Sequence, residues 1–158
     1  GPIQLIAMDS IYLLYGNNLI GHTKSVASQP SVNTRQFLVD YVSSFLESTH
    51  RKAIVVFDGR SAPLRKTSRI QLIFSGPQSN ADEVIRRRVE SSKDRKDLCV
   101  ISSDNAVYGY AKTCGVKALK CHEFNRMIRE VGGGKVEENR DLSIGNTKEW
   151  LRYFGEEE

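Results

Sequence analysis

The chain has 158 residues, 39% of them hydrophobic and 27% charged, with a formal net charge of +4 and a sequence pI near 9.0. That length suits one domain around one buried core, and the balance of apolar and charged residues excludes an intrinsically disordered chain. No apolar run approaches the ~20 residues of a membrane-spanning helix, and the excess of positive charge favours an anionic partner.

Gly1 and Pro2, followed by Ile3-Gln4-Leu5-Ile6-Ala7 ahead of Met8, read as a cleavage scar and linker. Residues 1–7 are therefore set apart as a tag remnant, and no basic segment marks a signal peptide. Ile11-Tyr12-Leu13-Leu14-Tyr15, closed by Gly16-Asn17-Asn18, reads as a buried first strand and a turn. After Pro30, Ser31 or Asn33 is placed to cap a helix that carries Phe37, Leu38, Tyr41, Val42, Phe45 and Leu46 on one face. Ala53-Ile54-Val55-Val56-Phe57 is a second strand, and its lack of alternation predicts burial on both faces, as in a parallel sheet. It stops at Asp58-Gly59.

Residues 60–69 lack a helical period and read as a basic loop, leading to a third strand at 70–74 that Ser75-Gly76-Pro77 ends. Asn80 is placed to cap a helix opening with Ala81-Asp82-Glu83, with Val84, Ile85 and Val89 turned inward and Arg86, Arg87 and Arg88 around its flank. A fourth strand follows at 98–101. Ser103 or Asp104 caps the next helix, which runs to about Thr113 and is closed by Gly115. A fifth strand at 116–119 and a helix at 123–131 complete the pattern. The domain is expected over 8–131, a flexible linker over 132–146, and a short aromatic helix with an acidic tail over 147–158. Trp150, Leu151, Tyr153 and Phe154 in that helix are expected to dock on the domain or on a second copy, giving a homodimer.

The cysteines, Cys99, Cys114 and Cys121, show no CxxC spacing. Cys121-His122 near Cys114 is a weak hint of zinc, but a structural zinc needs four ligands in closer pairs, so free thiols in a reducing cytoplasm are expected.

Alternating strands and helices imply a three-layer, doubly wound α/β fold with a mostly parallel sheet of about five strands. Ligands of such sheets bind outside the carboxyl ends of the strands. Placed there are Tyr15-Gly16-Asn17-Asn18, Asp58, Asp82-Glu83 and Ser103-Asp104. Carboxylates brought together repel one another, and magnesium or manganese relieves that repulsion while polarising a phosphodiester and activating water. The plainer reading has Asp58 closing a turn while Asp82 and Asp104 begin or cap helices. A dinucleotide-binding enzyme is disfavoured, because the first strand leads into Gly-Asn-Asn-Leu-Ile-Gly and not a GxGxxG helix opening.

Leu14-Tyr15-Gly16-Asn17-Asn18-Leu19-Ile20-Gly21, Val55-Val56-Phe57-Asp58-Gly59, Ala81-Asp82-Glu83 and Ser102-Ser103-Asp104 stand in the order found in YacP-like NYN proteins of the PIN-like nuclease superfamily, and the chain resembles that family from about Ile11 to Ile128. The segment Glu149-Trp150-Leu151-Arg152-Tyr153-Phe154-Gly155 also looks like an ending some members carry. The resemblance implies a metal-dependent endoribonuclease, some relatives acting on messenger RNA at the ribosome. It implies Asp58, Asp82 and Asp104 as catalytic metal ligands, Asn18 as their orienter, and Asn17 or Ser103 as a phosphate contact. One departure matters: the family's first motif reads aspartate-glycine-(tyrosine or asparagine)-asparagine, and Tyr15 replaces the leading aspartate. A phenol with a pKa of about 10 is neutral and a poor magnesium ligand. Two readings follow, an endoribonuclease weakened by Tyr15 or a non-catalytic RNA-binding module. In either, Arg60, Arg65, Lys66, Arg69, Arg86, Arg87 and Arg88 are expected to track the RNA backbone, the plain alternative for the arginine triplet being a solvated helix face.

Overall fold

The computed structural model describes residues 11–20, 32–93 and 95–132. The expected tag remnant, nearly all of the linker and the aromatic tail helix lie outside the described residues. Strands β1 (Ile11–Tyr15), β2 (Lys52–Phe57), β3 (Ile70–Phe74), β4 (Leu98–Ile101) and β5 (Lys117–Leu119) form one sheet in the order β3-β2-β1-β4-β5. Every pairing is parallel, as the unbroken apolar runs predict.

Helices α1 (Gly16–Leu19), α2 (Val32–Thr49), α3 (Ala81–Ser91), α4 (Asn105–Thr113) and α5 (Cys121–Gly132) complete the described part. Successive residues of a strand point to opposite faces, so β1 feeds two cores. Tyr12 and Leu14 pack with residues of α2 and α5, whereas Leu13 packs with residues of α3 and α4. The result is the expected three-layer arrangement. On the α2 side, Tyr12, Phe45 and Phe124 form an aromatic cluster with ring centroids 5.3–5.7 Å apart. Tyr12 also accepts a buried hydrogen bond from Arg51 at 2.9 Å, which satisfies its polar tip inside the core.

The helix ends refine the sequence reading. Gly16-Asn17-Asn18 forms a single helical turn, with the Ile20 N–H bonded to the Gly16 carbonyl at 3.1 Å. Asn33 lies inside α2 and does not cap it, and Ser31 is outside the described residues. Asn80 caps α3 as expected, accepting from the Glu83 N–H at 2.8 Å. Of the two candidates before α4, Asp104 is the cap and accepts from the Ala106 and Val107 N–H groups at 2.8 and 3.2 Å. Helix α5 begins at Cys121, earlier than Glu123, because the Glu123 carboxylate reaches back to the Lys120 N–H at 2.7 Å, one half of a capping box.

The link from β2 to β3 is a parallel connection without a helix. Its loop is held against α2 by Gln36, whose side-chain amide donates to the Arg65 carbonyl and accepts from the Arg65 N–H at 2.9 and 2.8 Å. Leu64 packs on the α2-side core from the same loop.

Candidate functional site

The chain builds outward from β1 through β2 to β3, then returns to place β4 on the other flank of β1. Such a reversal falls at the carboxyl ends of β1 and β4, the place where α/β sheets bind ligands. Buried Asn18 staples its two sides. Its side-chain oxygen accepts from the Ser102 hydroxyl at 2.7 Å and from the Ser103 and Asp104 N–H groups at 3.0 and 3.1 Å. This is the orienting role expected of Asn18, exercised on the β4 crest. The Ser103 hydroxyl is turned toward α5 and accepts from the Cys121 N–H at 3.3 Å.

On the other flank Asp58 is held from four directions. One carboxylate oxygen accepts from the Ala81 N–H at 2.7 Å, and the other accepts from the Tyr15 hydroxyl at 3.3 Å. The Asp58 N–H donates to the Asn17 side chain at 3.3 Å, and its carbonyl accepts from Arg35 at 3.0 Å. Arg35 is buried, its guanidinium 5.1 Å from the Phe57 ring centre and 5.8 Å from that of Phe74. Burial works against its charge, and the neighbouring Asp58 carboxylate works for it. Phe57 in turn presses on α1: a Cβ at Gly16 would lie 2.5 Å from its ring. Past the strand, Gly59 adopts a φ of 92°, and its carbonyl accepts from the Gly76 N–H at 2.8 Å, which zips the loops after β2 and β3 together. Sequence reasoning missed Arg35, a single basic residue on an amphipathic helix with nothing local to mark it.

Asp82 pairs with Arg86 one turn along α3 at 2.7 Å, and the Arg86 guanidinium lies 5.0 Å from the ring centre of Tyr110 on α4. Tyr15 senses all three aspartates. Burial first, then the charge of Asp58 and the hydrogen bond to it, then the charges of Asp82 and Asp104, hold its phenol well above the usual range. Tyr15 is therefore a neutral hydroxyl inside an acidic field.

The crest is the candidate seat for magnesium or manganese. Among the described residues no three His, Cys, Asp or Glu side chains converge closely enough to enclose a cation. Each aspartate also has an internal partner: Asp58 the α3 amide and Tyr15, Asp82 Arg86, and Asp104 the amides of α4. As arranged, the donors do not fit a hard divalent ion, which takes several oxygens at about 2.0–2.1 Å in the case of magnesium.

The basic residues separate into groups. Arg60, exposed, directly follows the Asp58-Gly59 turn, and Arg86 stands beside Asp82, so these two are at the crest. Arg65 and Lys66 are exposed on the loop that crosses α2. Arg69 lies at the opposite, amino edge of the sheet, immediately before β3, where it reaches Glu47 at 3.6 Å and the Arg51 carbonyl at 3.4 Å. Arg87 pairs with Glu83 at 3.5 Å, and Arg88 is exposed on the same helix.

Known proteins add a family to this geometry. The chain is similar to the crystal structure of a tryptophan-to-leucine mutant of Rae1 (YacP) from Bacillus subtilis, with a TM-score of 0.64 and 21% identity over 92% of each chain. A second crystal structure of Rae1 (YacP) from Bacillus subtilis gives a TM-score of 0.61 at 18% identity, over 88% of this chain and 84% of that one. These likenesses show a shared fold. No curated protein matches the chain significantly. A model described as the YacP-like NYN domain matches residues 12–152, past the last described helix and into the tail, and the chain therefore belongs to the YacP-like NYN domain family.

Proposed function

We propose that this domain binds RNA along the carboxyl crest of its sheet, and that it is an endoribonuclease-type domain whose hydrolysis is held down by Tyr15. The observation that carries the reading is the neutral Tyr15 phenol bonded to Asp58 inside the field of Asp58, Asp82 and Asp104. Nucleases of the NYN and PIN-like kind typically depend on a divalent metal. In this chain a magnesium or manganese site would require Asp82 to leave Arg86 and Tyr15 to leave Asp58. Arg60, Arg86, Arg65 and Lys66 supply positive charge for the RNA backbone, and free thiols at Cys99, Cys114 and Cys121 suit a reducing cytoplasm.

A non-catalytic RNA-binding module is the second reading, favoured by the structural use the fold makes of Asp58, Asp82 and Asp104. One comparison separates the two: cleavage of a mixed RNA pool by this chain, by Tyr15→Asp, and by Tyr15→Asp carrying Asp104→Asn, at equal protein and magnesium. Asparagine is as good a helix cap as aspartate, so the last change spares α4 while removing a carboxylate. The parent is expected to bind RNA and cleave it poorly. Tyr15→Asp is expected to gain about two to three powers of ten in rate, a typical value for a charge interaction made in the transition state, and Asp104→Asn to remove the gain. Efficient cleavage by the parent with no gain from Tyr15→Asp would refute the role given to Tyr15. Binding with no cleavage by any of the three proteins selects the second reading.

A further inference from the structure

We propose that Tyr108, Lys112 and Lys120 form a separate RNA subsite on the β4–β5 flank of the crest, where a base of a single strand stacks on Tyr108 and the lysines hold the adjoining phosphates. The proposal rests on the RNA-binding reading and adds to it the substrate class, unpaired RNA. Helix α4 starts at the crest itself, with Asp104 as its cap. Val107 and Ala111 are buried toward the sheet, which leaves Tyr108 half-buried on the flank and Asn105 and Lys112 exposed. Lys120, the first residue past β5, comes from a different element to the same ring. Its ammonium lies 4.4 Å from the Tyr108 ring centre and bonds to the Asn105 side chain, while that of Lys112 lies 5.3 Å from the same centre.

The charge balance sets this cluster apart from three of the arginines. Arg69, Arg86 and Arg87 are each paired with a carboxylate. Among the described residues neither Lys112 nor Lys120 is, and the nearby Glu123 carboxylate is turned to the Lys120 backbone N–H. Two like charges gather at one aromatic ring, their repulsion partly offset by the ring's quadrupole, by the Asn105 side chain on Lys120 and by solvent. A phosphate between them relieves that repulsion. A phosphodiester strand brings such a phosphate together with a flat base, which takes the place of an ammonium over the Tyr108 ring as that ammonium moves onto the phosphate; an aromatic ring beside basic groups is the usual way to hold unpaired nucleotides. Because β1 lies between β2 and β4, a strand reaching from Arg60 to Tyr108 passes over Tyr15.

The test is fluorescence anisotropy with a labelled single-stranded RNA of mixed sequence, an abasic oligomer of equal length, and duplex RNA. Tyr108→Leu is expected to weaken binding of the single strand about tenfold, a value within the usual range for stacking on one aromatic side chain, and to leave the abasic oligomer and the duplex nearly unchanged. Tyr108→Phe is expected to bind as the parent does. Lys112→Gln with Lys120→Gln is expected to flatten the salt dependence by about 0.7 in logarithmic slope for each phosphate that is no longer neutralised. Parent-like binding by Tyr108→Leu overturns the subsite. If an Arg60→Gln, Arg65→Gln variant loses affinity in that same series, the wider RNA reading survives the loss of this one. Equal weakening of base-bearing and abasic oligomers by Tyr108→Leu also overturns stacking, and absence of RNA binding by the parent overturns both readings.

Discussion

Gly16 is the residue on which the crest closes. A Cβ there would meet the Phe57 ring at 2.5 Å, and Phe57 is itself stacked on Phe74 at a centroid distance of 5.8 Å and covered by Arg35. The ring has no free direction in which to yield. Gly16→Ala is therefore expected to destabilise the fold by about 1–3 kcal/mol, the usual range for overpacking, as measured by urea denaturation. In a Phe57→Leu background the same substitution is expected to cost less, because the smaller side chain leaves room for the methyl. An equal cost in both backgrounds would show that the approach to Phe57 is not the cause. The glycine's place after the first strand is plain in the sequence, but its reason lies 41 residues away in β2.

At the scale of elements, the strands were legible and several helix starts were not. A parallel sheet covered on both faces favours unbroken apolar runs, and 11–15, 53–57 and 98–101 supply them, whereas Gln71 interrupts 70–74 on the edge strand β3. Helix starts depend on single hydrogen bonds: α5 is fixed by Glu123 reaching back to Lys120, and lysine is not a residue that announces a cap. What holds α5 to the rest is the Tyr12–Phe45–Phe124 cluster, which joins β1, α2 and α5. Phe124 is fully buried, so Phe124→Ala is expected to cost about 3–5 kcal/mol in chemical denaturation, the range for a phenylalanine removed from a core. A loss below about 1 kcal/mol, no more than surface substitutions give, would show that α5 is loosely attached.

For the whole molecule, the use of Asp58, Asp82 and Asp104 as internal staples has a thermodynamic consequence. A ligand that binds the native state raises its stability in proportion to the logarithm of its concentration over its dissociation constant. With the carboxylates already engaged, millimolar magnesium or a chelator is expected to leave the melting temperature of this chain unchanged. Tyr15→Asp is expected to melt lower without metal, from like-charge repulsion with Asp58, and to rise when magnesium is added. A magnesium-dependent rise in the parent would show that the staples give way to the ion. No helix among the described residues is long and apolar enough to cross a membrane.

The sequence by itself determined the α/β class, the number of strands, the family, and which side chains stand just past the strands, because each is written in local periodicity or in short ordered motifs. The Asp82–Arg86 pair was within reach too, since residues four apart face one another on a helix. Tertiary structure alone decided the strand order, and with it the meeting of Tyr15 with Asp58 and of Asn18 with the residues just past β4, the burial of Arg35 beneath Phe57 and Phe74, and the approach of Lys120 to Tyr108. It also sent Arg69 to the far edge of the sheet, although Arg69 and Arg60 are neighbours on one basic loop. The physical reason is the parallel connection: a loop joining parallel strands must return from the carboxyl edge to the amino edge, so residues close in the chain finish at opposite ends of the molecule.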